Sequence, residues 1–158
     1  MSKSTGNFMT LAESAKKFGV DSTRIALADS GDSLDDANFD EMVANAAILK
    51  LFVMEQWIEK NVPAEPVDFA ARNTADYEAW DKIMINELNR IMKLVKTAYT
   101  EVKYKVVIKH AFNEMLSLKE SYLIAKNNSP NPFVILDFIE AFIVMMNPII
   151  PNFCQFAW

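Results

Sequence analysis

The fold is decided by residues 131–147, which read NPFVILDFIEAFIVMMN. Asn131 is a good helix N-cap, and Pro132 suits the first helical position. The apolar residues that follow form a stripe with few polar interruptions, although Asp137 and Glu140 lie near its middle. A membrane span needs about 20 apolar residues without two central carboxylates. The pattern therefore predicts the most buried helix of a helical bundle.

Three more long amphipathic patterns lie upstream of this helix. The first runs from about Phe39 to Asn61, the second begins after Thr74, and the third covers residues 104–122 and stops at Asn127. Connections of modest length favour antiparallel neighbours. We therefore expect an all-α fold class, in which short linking helices are followed by an antiparallel four-helix-type bundle.

Two short helices are predicted before the bundle. Thr10 with Glu13 three residues later forms a capping-box pattern for a helix that ends near Gly19. Asp21 starts a second helix, and the acidic residues 29–36 after it read as a loop. Their spacing lacks the order of an EF-hand and has no closing Glu, so no metal site is predicted there.

The composition excludes several classes of protein. The 158 residues are 51% hydrophobic with three glycines, which suits one α-rich core and not a disordered chain. Cys154 and His110 are the only residues of their types, so a zinc site or a Ser-His-Asp triad is not expected. His110 is interpreted as a boundary residue without a catalytic role. A single cysteine favours a reducing compartment, and we expect a cytoplasmic protein.

The charge is unevenly distributed. The formal net charge is −5, but residues 82–126 hold nine Lys and Arg against four Glu, which makes this region +5 and the remainder −10. Such a basic middle is compatible with docking to a polyanion. A solvated, lysine-rich pair of helices explains it equally well.

The first seven residues read MSKSTGN. They combine Lys3 with small hydroxyl residues and a Gly-Asn turn, and such a loop can present a point charge and several donors to a phosphate group. A terminus that resembles an expression tag has the same chemistry, so the residues alone leave both interpretations open.

This stretch resembles the Lys-Met-Ser-Lys-Ser signature loop of class I aminoacyl-tRNA synthetases, without its first lysine. Its continuation through Phe8 is similar to the subgroup that charges Leu, Ile, Val and Met. Residues 21–29 (DSTRIALAD) resemble the segment that follows the loop, and residues 31–33 (GDS) and 36–39 (DANF) are similar to eukaryotic cytosolic leucyl-tRNA synthetases. Residues 147–158 resemble the Pro-x-x-Pro-His…Glu…Trp run that closes the tRNA-binding bundle of this family. Asn152 and Gln155 depart from that run, so neither receives a role.

The resemblance implies a ligase that activates leucine with ATP and magnesium and then transfers it to its tRNA. It implies that Lys3 is catalytic and stabilises the pyrophosphate leaving group, and that Arg24 anchors the linking helices. The implied ATP-binding loop consists of Met1, Ser2, Lys3, Ser4, Thr5, Gly6 and Asn7. The bundle is expected to contact the tRNA through phosphate and shape and not through the anticodon. The candidate tRNA-binding residues are Lys93, Lys96, Lys103, Lys105 and Lys109.

The same resemblance divides the chain in two. Residues 1–37 are expected to be the signature loop with its linking helices, and residues 38–158 a tRNA-binding helical bundle that is truncated at its C-terminal end. The expected partners are leucine tRNA and the missing Rossmann, editing and C-terminal domains of the same parent, with no membrane and no DNA. The fragment alone is expected to be inactive and to hold no cofactor.

Two alternatives remain open at this stage. One is a parent that charges Ile, Val or Met, and the other is a stand-alone, non-catalytic tRNA-binding helical module. A helical interaction protein with an accidental signature loop explains the apolar pattern but not the ordered motifs at both ends.

Overall fold

A computed structural model describes residues 9–32, 38–63 and 67–158. Everything regular in these residues is helical, with no strand among them, which confirms the all-α fold class. The helices are α1 Leu11–Phe18, α2 Val20–Asp29, α3 Glu41–Asn61, α4 Ala79–Thr100, α5 Tyr104–Val107, α6 Met115–Ala125, α7 Pro132–Met146 and α8 Pro151–Ala157. A π-helical segment, Ile108–Glu114, joins α5 to α6, and short 3₁₀ turns at Phe69–Ala71 and Thr74–Asp76 precede α4.

The capping predictions are confirmed for α1 and α7. The side chain of Thr10 accepts a hydrogen bond from the N–H of Glu13 at 3.2 Å, and the Glu13 carboxylate accepts one from the N–H of Thr10 at 2.8 Å. Asn131 accepts from the N–H of Phe133 at 3.0 Å, with Pro132 at the first position of α7. Gly19 separates α1 from α2 at a φ of 78°, a conformation that other residues rarely adopt.

Two helix starts differ from the prediction. Helix α3 begins at Glu41, because Asp40 accepts a hydrogen bond from the N–H of Met42 at 2.8 Å and so caps the helix. Helix α4 begins at Ala79 and not directly after Thr74. The side chain of Asn73 caps only the short 3₁₀ turn, and the N–H of Glu78 donates to Asp81 at the true start of α4.

Helix α7 lies at the centre of the core, as predicted. Nine of its 15 residues are buried, and Phe138 and Phe142 are completely inaccessible to solvent. The rings of Trp57 in α3 and Phe138 form a T-shaped pair with centroids 5.8 Å apart, and those of Phe153 in α8 and Phe142 form another at 6.1 Å. The central helix therefore holds α3 and α8 in the same apolar cluster.

The helix directions alternate along the chain. The hydroxyl of Tyr122, at the end of α6, bonds to Asp81 at the start of α4 and accepts from the N–H of Asn131 at the start of α7. At the opposite ends of α4 and α7, the Tyr99 hydroxyl donates to the carbonyl of Met145 at 2.7 Å. Helices α4 and α7 are therefore parallel to each other and antiparallel to α6, which confirms the predicted alternation.

The third predicted helix is interrupted in the structure. It contains α5, the π-helical segment and α6, where one continuous α-helix was expected. Among the described residues, no helix is both long and apolar enough to cross a membrane. The boundary between residues 37 and 38 stays a prediction, since residues 33–37 lie outside the described part.

Candidate nucleic-acid interface

The predicted ATP-binding loop, residues 1–7 with Lys3, lies outside the described residues and stays a prediction. From Met9 onward the described chain is packed. Met9 contacts a small cluster around the buried side chains of Phe18, Ala26 and Ala44. Phe39 joins this cluster with its ring 5.7 Å from that of Phe18. Helices α1 and α2, which follow the loop, are thus fixed to the start of α3.

Helix α2 is also tied to the C-terminal end of the described chain. Arg24 donates from Nε to the carbonyl of Ile149 at 2.6 Å and from Nη2 to that of Pro148 at 2.7 Å. Asp21 accepts from the N–H of Phe153 at 2.7 Å, which satisfies an orphan donor in the first turn of α8. We call these contacts the α2–α8 clamp. Its geometry gives Arg24 an anchoring position, as the resemblance implied.

Asn152 takes part in the α2–α8 clamp. Its side-chain amide donates to the carboxylate of Asp21 at 3.0 Å. No role was predicted for Asn152 from the sequence, because it departs from the family pattern at this position. The sequence did contain one indication of this contact. Asp21 and Arg24 are three residues apart, which places both side chains on one side of α2. Their partners lie more than 120 residues away, and the sequence pattern did not reveal them.

Lys93 and Lys96 are exposed on the outer face of α4. They point outward because the buried residues of this helix, Met84, Leu88, Ile91 and Val95, form the opposite stripe. Both ammonium groups are therefore placed to meet an external polyanion. Among the described residues, the structure records no ion pair for either of them.

Lys103 and Lys105 belong to the turn between α4 and α5, where negative charge is also present. The Lys103 ammonium lies 2.6 Å from the carboxylate of Glu101, and this hydrogen bond raises the pKa of Lys103. The backbone N–H of Lys105 donates to both carboxylate oxygens of Asp32, at 2.9 and 3.0 Å. An approaching phosphate would meet these two acids as well as the lysines.

Lys109 is exposed on the π-helical segment. A lysine that the sequence analysis did not select, Lys50 of α3, donates to the Asn113 side chain of the same segment at 2.8 Å. It also lies 5.5 Å from the ring centroid of Phe112, a cation–π contact. The structure therefore adds Lys50 to the exposed basic residues beside Lys109.

Three other basic residues of the +5 region form ion pairs within the protein. Lys119 is 3% exposed, 4.7 Å from the ring centroid of Trp57 and 2.6 Å from Glu120. Lys126 lies 2.8 Å from Glu78, and Arg90 pairs with two glutamates. Burial keeps the charges of Lys119 and Lys126 away from the surface, and two glutamates flank the exposed Arg90. The basic region is accordingly less available to an anion than its composition indicated.

His110 belongs to one of these internal networks. Its Nδ1 is hydrogen-bonded to the Glu114 carboxylate, which also accepts from Arg90. Burial opposes ionisation of Glu114, but these hydrogen bonds outweigh it and hold its pKa below the ordinary value. The arrangement is that of a structural histidine. Among the described residues, no cluster of three His, Cys, Asp or Glu could hold a metal ion.

The comparisons with known proteins cover the bundle and the segment before it. Residues 81–158 match the family model described as the anticodon-binding domain of tRNA ligase. The whole chain is similar to the putative cytoplasmic leucine–tRNA ligase of Schizosaccharomyces pombe, with 36% identity over 159 residues. It is similar over 100% of its length to the Saccharomyces cerevisiae cytoplasmic leucine–tRNA ligase at 35% identity, and over 98% to that of Dictyostelium discoideum at 34%. The chain spans 14% of the length of each of these three relatives.

Proposed function

We propose that this chain is a segment of a leucyl-tRNA synthetase, because residues 81–158 match the model of the anticodon-binding domain of tRNA ligase and the whole chain is similar to cytoplasmic leucine–tRNA ligases. The parent activates leucine with ATP and transfers it to leucine tRNA. In this proposal the segment connects the catalytic region to the helical bundle that contacts the tRNA.

One observation carries the proposal. The alignment with the leucine–tRNA ligases extends over the first 80 residues, which the anticodon-binding domain model does not match. A helical bundle that had merely diverged toward another role would have no reason to retain that segment. The α2–α8 clamp supplies a physical reason, since α2 and the C-terminal segment depend on each other for hydrogen bonds.

Lys3 is the residue for which we propose a catalytic role. A lysine flanked by two serines and a threonine supplies a charge and several donors, which suits the oxygens of a polyphosphate. Magnesium bound with ATP would supply further charge neutralisation in the complete enzyme. The isolated chain is expected to hold neither, because the remaining nucleotide contacts belong to the proposed Rossmann domain.

The tRNA partner is proposed to meet the exposed lysines. Lys93, Lys96, Lys103, Lys105 and Lys109 are all exposed, and contacts through them would be to phosphates and therefore salt-dependent. The proposed partners within the parent are its Rossmann, editing and C-terminal domains. The cytoplasm is the proposed compartment, since the relatives are named as cytoplasmic ligases.

A stand-alone helical tRNA-binding module is the second candidate. The observation that favours it is the pair of lysines on the outer face of α4, which needs no catalytic domain in order to bind RNA. A parent that charges Ile, Val or Met is less well supported, because the relatives reported above are named for leucine.

The test is leucine-dependent ATP–pyrophosphate exchange by the complete polypeptide that contains this segment. We expect exchange with leucine, and a loss of about a hundredfold or more in kcat for Lys3→Ala, since a charge that stabilises a transition state is removed. Lys16→Ala is the matched control and should be neutral. Faster exchange with isoleucine, valine or methionine than with leucine, or exchange by the isolated 158-residue chain, would contradict the proposal.

A further inference from the structure

Helix α3 carries two apolar stripes on opposite sides. One stripe faces the core, with Ala47, Leu51, Met54 and Ile58 buried. The other contains Met42, Leu49, Phe52 and Val53, whose exposed fractions are 76%, 63%, 56% and 50%. A helix of the surface normally turns a polar face to water. The outer stripe of α3, defined by these four residues, is therefore an uncovered apolar surface.

The spacing of the outer stripe suits a partner helix. Met42, Ala46, Leu49, Val53 and Gln56 follow one another at alternating steps of four and three residues, which is the spacing of a helix-packing seam. The seam covers 15 residues, or about 21 Å along the helix axis. That length corresponds to about four turns of a second helix.

A groove beside the seam would let such a helix contact α6 as well as α3. It has a volume of about 330 Å³ and runs between α3 and α6, lined by Leu49 and Val53 on one side and by Leu116 and Ser117 on the other. The four large side chains of the outer stripe expose on the order of 400 Å² of apolar surface, which is the size expected for a functional patch.

The charges at the edges indicate what the partner carries. Glu55 and Glu59 lie along one edge of the seam and Lys50 along the other, while Lys60 lies one turn beyond the C-terminal end of the seam. A helix with Lys or Arg beside its apolar stripe would therefore be complementary to the edge formed by the two glutamates. Matching potentials of this kind select the orientation of a docked helix.

We infer that the outer stripe of α3 is the docking surface for an amphipathic helix, with a basic flank, that belongs to the remainder of the same synthetase polypeptide. This inference rests on the proposed function. The relatives are about seven times longer than this chain, which spans 14% of them, so most of the polypeptide is available to supply the helix.

The test compares cysteine reactivity in the 158-residue chain and in the complete polypeptide. Val53→Cys places a thiol in the seam, and Thr97→Cys places a matched thiol on the exposed outer face of α4. Both substitutions are small and at exposed positions, and circular dichroism checks that the helices remain. Native Cys154 is buried and supplies a slow background that the wild-type protein measures.

The quantity compared is the maleimide labelling rate of Val53→Cys divided by that of Thr97→Cys. We expect this ratio to be at least about tenfold lower in the complete polypeptide than in the isolated chain. An unchanged ratio in a polypeptide that charges leucine would overturn the docking inference and leave the proposed function intact. Protection at Val53→Cys in a polypeptide that does not charge leucine would overturn the proposed function alone. Concentration-dependent protection in the isolated chain, with sedimentation at twice its mass, would show a second copy on this surface and also overturn the inference.

Discussion

Asp81 shows how much a single residue can do at a helix start. It is 1% exposed, and it accepts from the Tyr122 hydroxyl at 2.6 Å and from the N–H of Glu78 at 3.0 Å. Burial opposes its ionisation, but these bonds and the Lys126 ammonium outweigh that effect and lower the pKa of Asp81 below 3.8. The ionised carboxylate therefore stabilises the folded state above that pH, and this contribution is lost as the pH falls through the lowered pKa.

Replacing Asp81→Asn should lower the free energy of unfolding by about 1–3 kcal/mol at pH 7, because a charged acceptor of two hydrogen bonds becomes neutral. The difference from the wild type should shrink below about pH 3.8, where the wild-type residue is protonated in the unfolded chain. Urea denaturation at pH 7 and pH 3 measures both. A difference that stays constant with pH would refute the role of the charge.

Val102 is the residue where the backbone is strained. Its φ is 57°, in the left-handed region that β-branched residues avoid, because it ends α4 and turns the chain toward α5. Its side chain is 61% exposed and contributes little packing. Val102→Gly should therefore raise the free energy of unfolding by about 1 kcal/mol. Thermal denaturation checks this, with Val102→Ala as the control that keeps a Cβ, and equal melting temperatures for wild type and glycine variant would contradict it.

Sequence reading was strongest at residues whose partners are local. Thr10 with Glu13, and Asn131 with Pro132, were predicted because a cap depends only on neighbours within three residues. The role of Asp81 was missed. It lies three residues before Met84 and so falls on the buried stripe of α4, but its partner Tyr122 comes from another helix.

At the scale of elements, the interruption of the third helix could not be predicted from the spacing of its apolar residues. Residues 104–122 have a pattern that α-helical spacing explains adequately, and the wider π turn at Ile108–Glu114 alters it by too little to be recognised. Helix α8 was also not predicted as an element. It has only seven residues, and its first turn depends on Asp21 for capping.

The α2–α8 clamp makes a prediction at this scale. Arg24→Gln should lower the free energy of unfolding by about 1–2 kcal/mol, since two charge-assisted hydrogen bonds to carbonyls are lost. Arg24→Lys, which keeps the charge but lacks the planar fork that reaches both carbonyls, should restore less than half of that amount. Hydrogen exchange should localise the loss of protection to α8. Uniform loss across all helices would contradict a clamp that acts on α8.

At the scale of the whole molecule, the structure changes how many basic residues of the region 82–126 are available at the surface. The sequence count of +5 over residues 82–126 is right, but Arg90, Lys119 and Lys126 are committed to internal pairs. The exposed lysines that remain lie on α4, in the turn into α5 and on the π-helical segment. Composition supplies the number of charges, and only the packing of the helices decides which of them reach solvent.

Changing Lys103, Lys105 and Lys109 together to Glu should weaken tRNA binding uniformly across tRNA species, because phosphate contacts carry no sequence information. The slope of log K against log salt should fall by about three. Reversing Lys16, Lys17 and Lys60 alters the net charge equally and should have little effect. Unchanged affinity of the first variant at low salt would place the tRNA-binding surface elsewhere.

The central claim is that these 158 residues belong to a much longer ligase, and the most direct measurement is the mass of the native polypeptide. An antibody against this chain should detect a single band in cell extract. Because the chain spans 14% of the relatives, we expect a mass about seven times its 17.9 kDa. A band at 17.9 kDa would contradict the claim and leave a free-standing helical module.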